Sequence, residues 1–219
     1  AENGMMRCMA FFGLTSELAP PSVETPGAQD AMVGVPFELP LAITSESEPT
    51  VKVTNLPAGL AYNAATRMIA GVPTTATPTN RTPVPVTVSV SNVGYTKSPA
   101  TTSFLITVAP LPTWAQGTFN GVAGTEALGS GSASMSVTAQ GVASGKFALR
   151  GTNFTFSAKS YASRDGDGAF YLVTTATVGK VSFPMALRVF APEITDPTGV
   201  VPATLGVVDD SDFLEGGWF

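Results

Sequence analysis

The 219-residue chain has no histidine, which excludes His-dependent triads, HExxH zinc sites and imidazole acid–base chemistry. Its one cysteine, Cys8, can form neither an intramolecular disulfide nor a cysteine metal cluster. Charge is scarce as well, with Asp, Glu, Lys and Arg making up 12% of the residues against a usual quarter or so. The 11 Lys and Arg are scattered singly in a chain of net charge −5, which excludes the clustered cations that a nucleic-acid partner requires. Between Glu48 and Glu126 there is no Asp or Glu, so the middle of the chain offers no carboxylate for proton transfer. The earlier Glu24, Asp30, Glu38, Glu46 and Glu48 lack the Asp-x-Asn-Asp spacing of a calcium cage between β domains. No run of about 18 apolar residues exists, so no segment is expected to span a membrane as a helix. The opening "MMRCMAFFGL", interrupted by Arg7 and followed by no small-residue cleavage site, does not read as a signal peptide.

What the chain does have is turn residues and strand formers. With 22 Gly, 18 Pro and abundant Ser, Thr, Val and Ala, the composition is that of short strands joined by many corners, and the expected class is all-β. From Pro20 to about Pro110 the runs "VPFELPLAI", "TVKVT", "GLAY", "RMIAG", "PVPVTVSVSN" and "TSFLITVA" are each bounded by Gly, Pro, Asn or Ser. "VTVSVS" and "FLITV" alternate with period two, which places one face of each in a core and the other in water. Six or seven such strands in about 90 residues match the size of an immunoglobulin-like sandwich.

Within this region "LPAGLAYNAATRMIAGVPT", Leu56 to Thr74, resembles the signature of immunoglobulin-like repeats of bacterial surface and secreted proteins, in which a form like LPxGLxxxxxTGxIxGTPT recurs. The matching residues are Leu56, Pro57, Gly59, Leu60, Thr66, Ile69, Gly71, Pro73 and Thr74; Arg67 stands where a turn Gly is usual, and Val72 where Thr is. The residues read the same way on their own. Pro57 and Gly59 set a corner, Asn63 to Thr66 cap a short hairpin, Ile69 points inward, and Gly71 with Pro73 releases the chain to the next strand. The resemblance implies a sandwich over residues 21–110 that serves as a spacer or adhesion module.

"APLPTW", Ala109 to Trp114, is a stiff proline joint and the expected domain boundary. Beyond it, over 113–219, come "GTFNGV", "SASMSVTA", "GKFALRG", "NFTFSAKSY", "GAFYLVTTATV", "KVSFPMALRVF", "ATLGVV" and "GGWF". The short connections at Gln140-Gly141, Arg150-Gly151, "RDGDG" and Val178-Gly179 suit an antiparallel meander, expected to close into a small barrel because an open sheet leaves two adhesive edges. This region resembles uncharacterised β-rich domains of secreted bacterial proteins. Residues 1–20 form a separate N-terminal segment. It reads either as the last strand of a preceding domain, with the chain a piece of a longer protein, or as a strand or short helix packed on the sandwich.

Candidate chemistry is sparse. Asp165 and Asp167 in "SRDGDGAFY" echo the middle of a calcium loop, but Thr174 occupies the position of the bidentate Glu, and Asp-Gly is also a strong hairpin signal. Asp209, Asp210, Asp212 and Glu215 form the densest acidic cluster, read as a solvated loop or as a carboxylate site if two meet in a cleft. "GTEALGSGSASMS" lacks the residues of a phosphate loop or nucleophile elbow and is expected to be a flexible hairpin loop. Trp114, Phe119, Phe154, Phe156, Phe170, Tyr171, Phe183 and Trp218 could form a sugar-stacking platform, though aromatics on alternating strands belong more often to a core. Tyr161 and Tyr171, flanking the Asp-Gly loop, are expected to be partly exposed. With Asp210 and Asp212 they are the ligand-binding candidates.

These features predict a non-enzymatic extracellular or cell-surface module for adhesion, ligand display or spacing, with a surface protein or a glycan as partner. No catalytic residue, cofactor or functional metal is expected. The alternative is a glycan-binding accessory region or part of a secreted carbohydrate-active enzyme. Calcium separates a plain turn from an ion site. Melting in EDTA and in about 5–10 mM calcium should give one midpoint, because saturating a millimolar site tenfold would add about 1.4 kcal/mol, or a few degrees. A shift of that size, lost in Asp165→Asn/Asp167→Asn, would identify a calcium loop instead.

Overall fold

The computed structural model describes residues 19–79, 83, 85–92, 99–125, 129–164, 168–189 and 205–207. The N-terminal segment, Cys8, Asp165, Asp167, and Asp209 to Phe219 lie outside the described residues. Apart from one 3-10 turn at Thr113–Ala115, all regular structure among the described residues is β, as the composition implies.

The first ten strands are β1 (Ser22–Val23), β2 (Gln29–Met32), β3 (Phe37–Pro40), β4 (Ile43–Thr44), β5 (Pro49–Thr54), β6 (Leu60–Asn63), β7 (Met68–Gly71), β8 (Val86–Asn92), β9 (Ala100–Phe104) and β10 (Ile106–Ala109). The alternation read in "VTVSVS" is realised in β8, where Val86, Val88 and Val90 are fully buried while Thr87, Ser89 and Ser91 point the other way. β5 and β9 flank β8 antiparallel, β3 and β6 flank β7 antiparallel, and β1 pairs antiparallel with β4. A single residue, Leu105, separates β9 from β10, and there the chain changes partner: β10 runs parallel to β2, Ile106 opposite Gln29 through Ala109 opposite Met32. The groups share one core. Leu39, Leu60 and Ile69 from β3, β6 and β7 meet Val86, Val88, Val90, Phe104, Ile106 and Val108 from β8, β9 and β10.

A second group follows the 3-10 turn: β11 (Gly117–Thr125), β12 (Gly129–Val137), β13 (Ala143–Leu149), β14 (Thr152–Ala158), β15 (Ser163–Arg164), β16 (Phe170–Val178), β17 (Val181–Val189) and β18 (Leu205–Val207). They form one sheet in the order β11-β12-β13-β14-β16-β17-β18, with β15 on β16, every pairing antiparallel. Of the turns the sequence suggests, that at Arg150-Gly151 is found as read, that at Val178-Gly179 falls one residue later, and Asp165 to Asp167 of "RDGDG" lie outside the described residues. Arg150 and Gly151 both have positive φ, 48° and 76°, the type I′ geometry that continues strand twist, and Gly179 leads the next hairpin at 58°. Two expectations are corrected. "GSGSASMS" is not a flexible loop but part of β12, paired with β11 along its whole length, because its serines and glycines alternate with Ala133, Met135 and Val137, which face the core. No closed barrel is found either: β11 and β18 stand at opposite ends of the described sheet. Residues of the joint and of the first unit contribute to its apolar core, with Leu111 and Ala115 buried in it and Trp114, Met32 and Val35 packed against it.

Glycines at two places let backbone meet backbone. In the stretch Leu56 to Thr74, Gly59 (φ +94°) and Gly71 (φ +144°) face each other: a Cβ on Gly59 would strike the carbonyl oxygen of Val72, and one on Gly71 the carbonyl oxygen of Gly59. Leu60 donates its N–H to the Pro57 carbonyl (3.1 Å) and Thr74 to that of Ala58 (3.0 Å), closing the corner that Pro57 begins. Asn63 Oδ1 accepts from the backbone of Ala65 and Thr66 as a hairpin cap, and Arg67 adopts φ +54° where a glycine would be at ease. Gly59→Val should lower unfolding free energy by about 2–3 kcal/mol, because φ and the facing carbonyl both oppose it, whereas Gly27→Ala, at φ +76° with open space around it, should cost about 1 kcal/mol. Denaturant midpoints of the two variants check this; equal midpoints would contradict the corner described.

Candidate functional site

Of the ligand-binding candidates singled out from sequence, the structure describes Tyr161 and Tyr171, and their side chains do not share a site. Asp165, Asp167, Asp210 and Asp212 lie outside the described residues. Tyr171 is half-buried on the outer face of β16, opposite Arg188 of β17, whose guanidinium lies 5.2 Å from the ring centroid. Tyr161 corrects the exposure expected of it, being fully buried. Its phenol donates to the Ala115 carbonyl at 2.6 Å, its ring packs 4.9 Å from that of Phe170, and its N–H donates to the Gly34 carbonyl at 2.9 Å. A phenol that loses water but keeps one strong acceptor is stable inside a core, where it acts as a structural anchor.

Among the described side chains the aromatics do not make an outward platform; Trp218 lies outside the described residues. Phe119, Phe147, Phe156 and Phe170 are buried in the second core, with Trp114 and Phe154 packed against it; Phe147 and Phe154 stack at 4.8 Å, and Trp114 lies 5.3 Å from Phe170. Among the described residues no group of three or more His, Cys, Asp or Glu could hold a metal ion. No helix among them is long and apolar enough to cross a membrane.

A concave feature lies on the opposite, hydrophilic face of this sheet. Because Phe119, Met135, Phe147 and Phe156 point inward, their neighbours along each strand point outward, where Asn120, Ser134, Lys146 and Thr155 form a row across β11, β12, β13 and β14. Successive members are direct cross-strand partners, so their Cβ atoms stand about 4.5–5.5 Å apart. One step along, the ladder between β12 and β13 ends at Ala133 opposite Phe147, although β12 begins at Gly129 and β13 continues to Leu149. Where the two strands part, Asn120, Ser132, Ser134, Lys146, Ala148 and Asn153 line an open depression of about 300 Å³. Its groups are two amides, two hydroxyls and one ammonium; among the described residues no carboxylate and no aromatic ring lines it.

The depression was missed from sequence because its residues are ordinary outward strand positions. The available signal was the period-two recurrence of polar residues in "SGSASMS" and "GTNFT", which identifies the face but not the point where two strands part.

Compared with protein-family models and with curated proteins, the chain matches none.

Burial raises the Tyr161 phenol above its ordinary pKa of 10.0. The folded protein therefore keeps this proton at a pH where the unfolded chain has lost it, so its contribution is intact below about pH 10 and declines as pH rises beyond that. Burial raises Tyr62 too, so part of the decline will remain when Tyr161 is replaced. Urea midpoints should be flat to about pH 9 and fall above pH 10, more shallowly in Tyr161→Phe, which at neutral pH is weaker by about 1 kcal/mol for the lost hydrogen bond. Identical alkaline slopes in the two proteins would count against the buried phenol.

Proposed function

We propose that the chain is a non-enzymatic extracellular module of a bacterial surface or secreted protein, used for adhesion, ligand display or spacing. Its first unit is read as an immunoglobulin-like sandwich of the kind that Leu56 to Thr74 resembles. The observation that carries this reading is the parallel pairing of β2 with β10. β2 stands near the entrance of the unit and β10 at its exit, so a pull on the chain through those two ends drags the strands in opposite directions along their length. Val33 donates to the Ala109 carbonyl at 3.0 Å and Gln29 to the Leu105 carbonyl at 2.9 Å, at the two ends of the pairing. Shear loads such bonds together, whereas peeling a hairpin loads them one at a time. A module that joins a surface to a partner needs this geometry, and a freely dissolved enzyme does not.

The alternative reading, a glycan-binding accessory region, is favoured by one feature, the polar depression at Asn120, Lys146 and Asn153. The two readings are compatible in one adhesive module. Single-molecule pulling tests the first. The force needed to unfold the first unit through residues 29 and 109 should exceed that through Lys52 and Ser89, which are paired across the antiparallel strands β5 and β8. The reverse order would remove the mechanical argument. Release of reducing sugar from a polysaccharide incubated with the protein would move it among the carbohydrate-active enzymes.

A further inference from the structure

We infer that the depression between β12 and β13 is a binding site for an acidic saccharide, a hydroxyl-rich ring carrying a carboxylate or a sulfate. The inference rests on the reading of the chain as an adhesive module and names the ligand class of its second sheet.

Shape comes first. The strands part beyond the Ala133–Phe147 pair, and the resulting hollow of about 300 Å³ is at the lower end of the roughly 300–1,000 Å³ range of small-ligand sites. It is open and shallow, which admits one or two rings of a chain that continues on either side. The donor set comes next. Asn120 and Asn153 each offer two N–H donors and a carbonyl acceptor, which match neighbouring ring hydroxyls that both give and receive; Ser132 and Ser134 add hydroxyls of the same dual character. All of these groups stand at outward strand positions, so their spacing is set by the sheet and little ordering is needed on binding.

Charge then narrows the class. Lys146 brings a full positive charge into the lining, and no carboxylate there offsets it. An anionic group on the ligand gains a charge-assisted hydrogen bond, whereas a neutral saccharide leaves the ammonium without a counter-charge in the site. The described lining also lacks an aromatic ring, the surface on which a neutral pyranose would stack; Phe119, Phe147 and Phe156 of these strands belong to the core on the other face. Amides and hydroxyls around one ammonium therefore fit an acidic sugar better than a neutral one, and better than a bare anion, which would use the lysine and leave the two asparagines idle.

The test uses the full chain labelled with ¹⁵N and titrated with four probes: a polygalacturonate oligosaccharide, a heparin-derived oligosaccharide, a neutral dextran oligosaccharide and inorganic sulfate. The expected result is movement of the Asn120 and Asn153 side-chain amide signals with one or both acidic oligosaccharides; whichever binds more tightly identifies carboxylate or sulfate as the anion. Lys146→Gln should weaken that binding about tenfold or more, the worth of a charge-assisted hydrogen bond, and Asn153→Ala severalfold. Lys52→Gln, an exposed cation of the first unit, should leave it unchanged. Lys146 and Asn153 are both exposed, so their variants should melt with the parent. Equal binding of dextran would overturn the acidic class, and equal binding of sulfate alone would reduce the site to an anion site. Silence up to about 10 mM, ten times a millimolar Kd, or shifts confined to other residues would overturn the site itself. Neither result touches the pulling experiment, so the site and the load-bearing reading fail separately.

Discussion

Gly34 is the point through which the two strand groups hold each other, and the contact is backbone on backbone. Its N–H donates to the Pro73 carbonyl in the first unit at 3.0 Å, and its carbonyl accepts from Tyr161 N–H in the second at 2.9 Å. Its Cα lies against Gly141, and a Cβ added to either glycine would come within 2.8 Å of the other's backbone. Side chains can yield to a neighbour by changing rotamer; main chain cannot, so this contact fixes separation and orientation together. From Tyr161 the restraint passes onward, through its hydroxyl to the Ala115 carbonyl and through its ring to Phe170, which touches Trp114. The proline joint "APLPTW" is thereby held at both ends: Leu111 and Ala115 are buried in the second core, and Met32 and Val35 reach that core from the first unit. Prolines alone give a stiff joint, but these contacts are what give it a direction.

Strand positions were legible in the sequence where one face is apolar and the other wet, because alternation is a local property that needs no knowledge of the partner. β8 and β10 are the clear cases, with Val86, Val88, Val90, Ile106 and Val108 buried at every second position. Corners were legible for the same reason. Gly59, Gly71, Asn63 and the Arg150-Gly151 pair each solve a backbone problem within a few residues. Arg67 is instructive in this respect. It departs from the glycine of the repeat signature yet keeps the left-handed conformation, so the turn is imposed by the hairpin around it, including the bond its carbonyl accepts from Leu41 N–H.

What sequence did not disclose depends on distant chain. The start of β12 looked like a loop because Ser and Gly are poor strand formers, although "SASMSVTA" also reads as a strand; the membership of the whole of β12 is decided by pairing with β11 and β13 and by three inward residues, Ala133, Met135 and Val137. Tyr161 looked exposed because it flanks a polar loop, but the bend after β14 turns it beneath the sheet toward the carbonyl of Ala115, 46 residues earlier. Closure into a barrel was inferred from the cost of open edges, a correct premise with more than one solution. Here residues of the joint and of the first unit contribute to the apolar core of the sheet. The candidate site escaped for a related reason. Alternation marks the outward face of β11 to β14 but does not say that the β12–β13 ladder ends at Ala133 and Phe147.

In the proposed binding site, the poverty of charge that limits chemistry elsewhere in the chain is what would give this face its selectivity. On a surface crowded with Lys and Glu, one ammonium is paired or averaged among its neighbours and reports little to a ligand. On the outward face of β11 to β14 the neighbours are Asn120, Ser132, Ser134, Asn153 and Thr155, which present dipoles and no competing charge, so the ammonium of Lys146 stands alone among the lining groups. Affinity at such an open site is limited by competition with water, and a single copy would hold its ligand weakly. Rigidity compensates in part. The Gly34–Tyr161 link carries the sheet at a fixed angle to the first unit, and the parallel β2–β10 pairing lets that unit bear tension. In the adhesive reading proposed above, weak contacts from several such modules to one polymeric ligand would act together without each paying again for orientation, provided the spacing between them is held, and fixed geometry would then complement weak, charge-selective contact.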